Sequence, residues 1–233
     1  MNEAMIKESV AKFEELIRTQ QERAERIKAE KEFINYNELD TLIVGVCGGD
    51  GIGPVITHEA ERVLRFLLAD DVNNGKIEFR EIDGLTIENR AAKGKAIPDD
   101  VLDELKKCHV ILKGPTTTPR AGDPWPNIES ANVAMRKELD LFANLRPVRV
   151  PEQGIDWTFF RENTEGGYAV GSKGINVSDD LAVDFVITTT EGCERIARLA
   201  YEYARKNGKD RVSIITKANV IKTTDGKFLK LCQ

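Results

Sequence analysis

TLIVGVCGGDGIGPVITHEAERVLRFL, residues 41–67, decides the architecture. Its first seven residues are a short continuous apolar run with β-branched side chains, which predicts a buried strand. Gly48, Gly49, Gly51 and Gly53 then predict a tight loop. Residues 54–69 predict a helix with Ile56, Ala60, Val63 and Leu67 on one face. Further along, KIEFREI (76–82) and HVILKG (109–114) read as strands. Between them a helix starts near Pro98, Asp99 and Asp100, with proline in the first turn and acids at the positive end of the dipole. Strand and helix alternate, so an α/β architecture is expected.

A second α/β stretch starts near residue 140. DLFANLRPVRV, DWTFFREN, VDFVITTT (183–190) and RVSIITKANV read as strands, the last one buried. Residues 163–183 read as irregular, exposed chain. GCERIARLAYEYARKNG predicts a helix with Ile196, Leu199, Ala200 and Tyr203 inward and Gly208 as its stop. At the other end, residues 3–33 read as one helix whose narrow apolar stripe is Ile6, Val10, Phe13 and Ile17. An appendage on the domain surface or at a subunit contact is expected there. The organisation is thus a helical extension (1–40), a large α/β domain (41–140) and a small α/β domain (141–233). DGKFLKLCQ reads as the opening turns of a helix, so the fold is expected to be incomplete at the C-terminus.

The 233 residues, 41% hydrophobic and 31% charged, suit one large domain or two small ones. A net charge of -5 and a pI near 5.3 give no pull toward nucleic acid or an anionic membrane. Small molecules or other protein chains are the expected partners, and an anionic substrate would need a local basic cluster. Cys47, Cys108, Cys193 and Cys232 are scattered without zinc spacing, which favours reduced buried thiols in a cytoplasmic protein. No apolar run approaches the ~20 residues of a membrane helix. Glu3, Glu8, Glu14 and Glu15 fit neither a signal peptide nor a transit peptide.

Two loops and a set of arginines carry the chemistry. VCGGDGIGP (46–54) is not GxGxxG, because Pro54 stands where the third glycine should be, and no Gly-Lys-Ser/Thr follows. KGPTTTP (113–119) follows a strand, where open α/β sheets place ligands. Its hydroxyls suit a ribose or a carboxamide, although threonines bonded within the loop are as good a reading. In ESANVAMRKELDLFANLRPVR (129–149), Ser130, Asn132 and Arg136 open a helix and Arg146 follows in a strand; Arg161 lies in FFREN. A guanidinium fork matches a carboxylate. Pairing with Glu138, Asp140 or Glu162 would account for any one arginine, whereas all three with Ser130 and Asn132 point to a polycarboxylate site.

GGDGIGPVITHEAERVL, KGPTTTP, SANVAMRKELDLFANLRPVR, FRENTEGGYA and TKANVIKTTDGKF, in this order, resemble the isocitrate/isopropylmalate dehydrogenase family over roughly residues 41–233. The resemblance implies a two-domain α/β fold that is not Rossmann. It also implies metal-dependent oxidation of a 2-hydroxy acid with NAD or NADP, followed by decarboxylation. By the resemblance, Ser130, Asn132, Arg136, Arg146 and Arg161 hold substrate carboxylates. Thr117 and Thr118 face the nicotinamide, with Asn219 near the same pocket. Tyr168 protonates the enol, and Lys217 assists proton transfer in the partner subunit's site. The active form is then a homodimer with shared sites, residues 163–183 serving as its clasp.

Ser-x-Asn ahead of Arg136 resembles the isocitrate enzymes, so isocitrate is the expected substrate and 2-oxoglutarate the product. DLFANLRP is closer to the isopropylmalate branch; 3-isopropylmalate, homoisocitrate and tartrate or malate are the alternatives. The ligands for Mg2+ or Mn2+ and the adenosine loop are expected beyond residue 233, because Asp50, Asp123 and Asp184 do not match metal positions. The 233 residues alone are therefore expected to be inactive until completed. A non-catalytic family subunit is the competing class, against which Tyr168 and Lys217 both argue; a free-standing binding module ranks third.

Overall fold

The computed structural model describes residues 3–29, 34–120, 122–171 and 173–233. In chain order, helix α1 (Glu3–Ala29) is followed by β1 (Leu42–Cys47), α2 (Gly53–Leu67), α3 (Ala69–Asn73), β2 (Ile77–Glu81), α4 (Ile87–Lys93), α5 (Asp99–Lys106), β3 (Val110–Lys113) and α6 (Ala131–Glu138). Then come β4 (Ala143–Val150), β5 (Ile155–Glu162), α7 (Gly167–Val170), β6 (Ile175–Ser178), β7 (Leu181–Val183), α8 (Thr190–Lys206) and α9 (Thr224–Cys232). The chain divides into two units, one of Phe33–Leu139 and one that joins Met1–Glu32 to Asp140–Gln233.

The first unit holds a three-stranded parallel sheet in the order β2-β1-β3. The apolar run predicts its central strand, and Val44, Val46 and Cys47 are indeed buried. The core joins Cys47, Ile82, Leu85, Ile97, Val101, Leu105, Ala131 and Met135. Val101 and Leu105 reach it from α5 at the i, i+4 spacing of one helix face. Helix α2 differs from its sequence reading. Gly53 and Thr57 are its buried residues, while Ile56, Val63 and Leu67 are 49%, 58% and 68% exposed. The buried face is turned by one residue because Gly53 must pass close to the loop that follows β1: a Cβ there would lie 2.1 Å from the Gly48 carbonyl oxygen.

In the second unit β4 and β5 form an antiparallel hairpin in which Asn144 faces Arg161 and Arg146 faces Phe159. Even-numbered residues of β5 meet α8: Phe160 packs edge-on to Tyr203 at 5.1 Å. Ile196 is buried on the predicted inner face of α8, and Tyr201 donates to the Cys232 carbonyl of α9 at 2.7 Å. Helix α1 buries Leu16, and Phe13 stacks on Phe185. The expected stripe is otherwise open, with Ile6, Val10 and Ile17 at 41–59% exposure. The packed face carries polar residues instead, notably Arg23, and a hydrophobic pattern cannot register those. Residues 30–33 of the predicted helix lie outside the described residues.

Two expected strands are absent. Beyond Val183, residues 184–190 contribute a single bridge, Gly166 to Ile187, and residues 211–220 join no ladder. Their β-branched residues suit a strand, yet no described strand pairs with them, and Ile215 is 82% exposed. Residues 163–183, read as irregular, form α7 and the β6–β7 hairpin. No described helix is long and apolar enough to cross a membrane.

Candidate functional site

In the first unit the glycine loop and KGPTTTP are built against each other. Gly49 adopts φ 72, and a Cβ there would lie 2.1 Å from the Pro115 oxygen; Gly114 passes equally close to the Gly48 oxygen. Side chains could not pass so closely, so glycine is required at both points. The Asp50 N–H donates to the Pro115 oxygen at 2.8 Å. The Asp50 carboxylate accepts from the Ile87 and Thr117 N–H groups at 2.7 and 2.6 Å.

Arg90 holds the same loop from the other side. Its guanidinium is fully buried and donates to the carbonyls of Ala96 (2.8 Å), Thr117 (2.8 Å) and Glu129 (3.2 Å). Burial pushes the Arg90 pKa down, opposed by the Asp50 charge. The backbone of Thr117 is thus pinned at its N–H by Asp50 and at its carbonyl by Arg90. Thr116 accepts from Lys113 Nζ at 3.2 Å, whereas the Thr117 and Thr118 hydroxyls have no partner among the described residues. Burial pushes the Lys113 pKa down. An immobilised loop with two open hydroxyls fits hydrogen bonds to a nicotinamide or ribose.

Glu129, whose carbonyl Arg90 holds, precedes Ser130, the residue that opens α6. The Ser130 hydroxyl makes no cap bond to its own helix. Asn132 and Arg136 lie four residues apart on α6, hence on one face. Neither side chain has a partner among the described residues.

In the second unit the β4–β5 register sets Arg161 across from Asn144, and Arg146 two residues further along the same face. Arg146 donates to Asn144 Oδ1 at 2.9 Å. Arg161 donates to the Tyr168 hydroxyl and lies over its ring, 4.9 Å from the centroid. Neither arginine has a carboxylate partner among the described residues. Two of the acids that could have neutralised them are taken: Arg195 holds Asp140 through two bonds of 2.5 and 3.0 Å and approaches Glu162 at 3.7 Å. Burial pushes the Glu162 pKa up, while its bonds to Thr164 and the Glu165 N–H pull it down.

Lys217 sits in a turn fixed by Asp225, which accepts from the Lys217 N–H at 2.7 Å and from Thr216 Oγ1 at 3.0 Å. The Lys217 ammonium and the exposed Asn219 have no side-chain partner among the described residues, and no hydrogen bond joins Lys217 to Tyr168. The structure therefore brings Arg161 and Tyr168 together, with Arg146 on the same hairpin face, in one unit; in the other, Arg90 ties the Thr117 loop to the residue before Ser130, and Asn132 and Arg136 share a face of α6. No group of three or more described His, Cys, Asp or Glu side chains could hold a metal ion.

Asp50 and Arg90 escape a sequence reading. An aspartate in a glycine loop is a turn signal, but nothing in ENRAAKGK indicates that Arg90 is buried.

Residues 43–233 match the family model described as isocitrate/isopropylmalate dehydrogenase. The chain is 35% identical over 214 residues to an isocitrate dehydrogenase [NADP] of Staphylococcus aureus, covering 77% of this chain and 49% of the relative. It is 34% identical over 204 residues to a homoisocitrate dehydrogenase of Methanocaldococcus jannaschii, covering 81% and 55%. The crystal structure of isocitrate dehydrogenase from Methylococcus capsulatus superposes with a TM-score of 0.65 at 29% identity, over 82% of this chain and 56% of that one. The chain spans about half the length of the curated relatives it matches.

Proposed function

The chain belongs to the isocitrate/isopropylmalate dehydrogenase family, and from that premise we propose that it serves the oxidative decarboxylation of isocitrate to 2-oxoglutarate with NAD or NADP. The observation that supports this reading best is the pair Arg146 and Arg161. They share one face of the hairpin and lack carboxylate partners among the described residues, and Arg161 lies beside the Tyr168 phenol. Exposed forks without acids are ready to take substrate carboxylates bidentately.

Ser130, Asn132 and Arg136 in one unit, and Arg146 and Arg161 in the other, each offer donors suited to the carboxylates of the hydroxy acid. Hydride acceptance is the chemistry that a bound nicotinamide supplies, and Thr117 and Thr118 offer it hydroxyls on a pinned loop. Once carbon dioxide has left, Tyr168 gives its proton to the enol carbon, and the Arg161 guanidinium offers positive charge to the phenolate oxygen left behind. Lys217 assists the same proton transfer in a partner subunit, with Asn219 close by. Residues 163–183, including the β6–β7 hairpin, clasp that partner. Mg2+ or Mn2+ belongs to the reaction of this family, but the described residues present no carboxylate cluster for it.

Homoisocitrate is the second reading, favoured by the similarity to the Methanocaldococcus jannaschii enzyme. Calorimetric titration of the protein with isocitrate, homoisocitrate and 3-isopropylmalate, with Mg2+ present, separates them. Tightest binding of isocitrate is expected; tighter binding of 3-isopropylmalate overturns the assignment.

A further inference from the structure

Helix α1 lies outside the stretch that the family model matches, residues 43–233. Its Arg23 nevertheless reaches the segment that leads to Tyr168. Arg23 donates from Nη1 to Glu165 Oε1 at 3.3 Å and from Nη2 to Thr164 Oγ1 at 3.0 Å. Both acceptor residues are deep in their unit, Glu165 at 6% and Thr164 at 2% exposure.

Charge explains why a cation is needed there. Asp140, Glu162 and Glu165 share this network, and Arg195 is committed to Asp140 and Glu162. Among the described residues Arg23 is the one cation within ion-pair distance of Glu165. A buried carboxylate without a cation is strongly unfavourable. Glu165 in turn anchors the start of α8, accepting from the Thr189 N–H at 3.0 Å and from Thr189 Oγ1 at 2.5 Å.

Past this anchor the chain is bridged once to the segment before α8, Gly166 exchanging both hydrogen bonds with Ile187. Gly166, at φ 64 and ψ -140, and Gly167 separate Glu165 from Tyr168. The tyrosine N–H donates back to the Glu165 oxygen at 3.2 Å. We propose that Arg23 is a positioning residue for Tyr168: by holding Glu165 and Thr164 it fixes the segment from which the phenol projects. The N-terminal helix is then a part of the site. This rests on the reading of Tyr168 as the proton donor.

Fluorine NMR of the protein labelled with fluorotyrosine tests it, with Tyr168→Phe assigning the signal among the four tyrosines. Arg23→Gln is expected to shift or broaden the Tyr168 signal and to speed amide exchange across residues 163–168 by at least about tenfold. The Tyr36 signal stays in place, and Arg23→Lys, which keeps the charge but loses the fork, brings Tyr168 partway back. An unchanged Tyr168 signal in Arg23→Gln overturns the proposal. If that variant does not fold, Arg23→Lys decides alone: a smaller shift is expected, and none overturns it. Isocitrate added to the unaltered protein separates the two claims. If Arg23→Gln moves the Tyr168 signal and isocitrate does not, the positioning stands and the proton-donor reading falls. If isocitrate moves it and Arg23→Gln does not, the positioning alone falls.

Discussion

Replacing Arg90 by Met keeps the length of the side chain and removes the guanidinium that joins the Thr117 loop to the start of α6. The native fork donates to the carbonyls of Ala96, Thr117 and Glu129. Each hydrogen bond to a charged group contributes about 1.5–3 kcal/mol, so the set has an upper limit of about 4.5–9 kcal/mol. Part is returned, because the guanidinium is fully buried and its desolvation disappears with it. The residual cost is that of carbonyls left without the donor that joined them, and the expected loss is about 3–5 kcal/mol of a domain stability of about 5–15 kcal/mol. Arg90→Lys, whose ammonium has no fork, is expected to lose about 2–4 kcal/mol. Urea unfolding gives the magnitude, and hydrogen exchange gives its location. Residues 115–118 and 128–131 should lose protection together, ahead of the core around Leu105. A loss under 1 kcal/mol, or loosening of one segment without the other, refutes the claim that one guanidinium holds both.

Other outcomes follow from particular side chains. Ser130→Glu places a carboxylate where a substrate carboxylate is proposed to bind, so isocitrate binding seen by calorimetry should vanish while the unfolding free energy stays within about 1 kcal/mol of the native value. The Cys47 and Cys193 thiols, pushed up by burial to about 11 and about 12, should resist alkylation in the folded protein at neutral pH and react on unfolding. Their raised folded-state values also set a sign. The unfolded chain ionises first, near pH ~8.5, so stability should fall as pH rises from there toward 11–12, a trend that a urea series at increasing pH reads directly. Asp50→Asn should free the Thr117 and Ile87 amides to exchange without exposing the Glu129 segment, since Asp50 bonds to the first two alone.

How far the sequence reaches depends on where the information lies. A strand buried on both faces announces itself, as β1 does in TLIVGVC, and so does the hairpin of β4 and β5. The faces of α1 and α2 were less legible because glycine and polar residues occupy the packed side: Gly53 and Thr57 on α2, Arg23 on α1. RVSIITKANV has the composition of a strand, but pairing is a property of two segments and none of the described strands pairs with it. The site shows the same division. Arg146, Arg161 and Tyr168 could be listed as candidates from residue type and resemblance, and the hairpin register then put both arginines on one face. Asp50 and Arg90 act through backbone carbonyls and amides, which leave no trace in residue type.

We propose that Arg146 and Arg161 lack carboxylate partners because substrate carboxylates take them. Titration of isocitrate into the unaltered protein, Arg146→Ala and Arg161→Ala tests it most directly. Loss of one charged hydrogen bond costs about 1.5–3 kcal/mol, so each variant should bind about ten- to a hundred-fold more weakly with its fold intact. Isocitrate affinity unchanged in both variants would mean that substrate carboxylates do not bind these arginines.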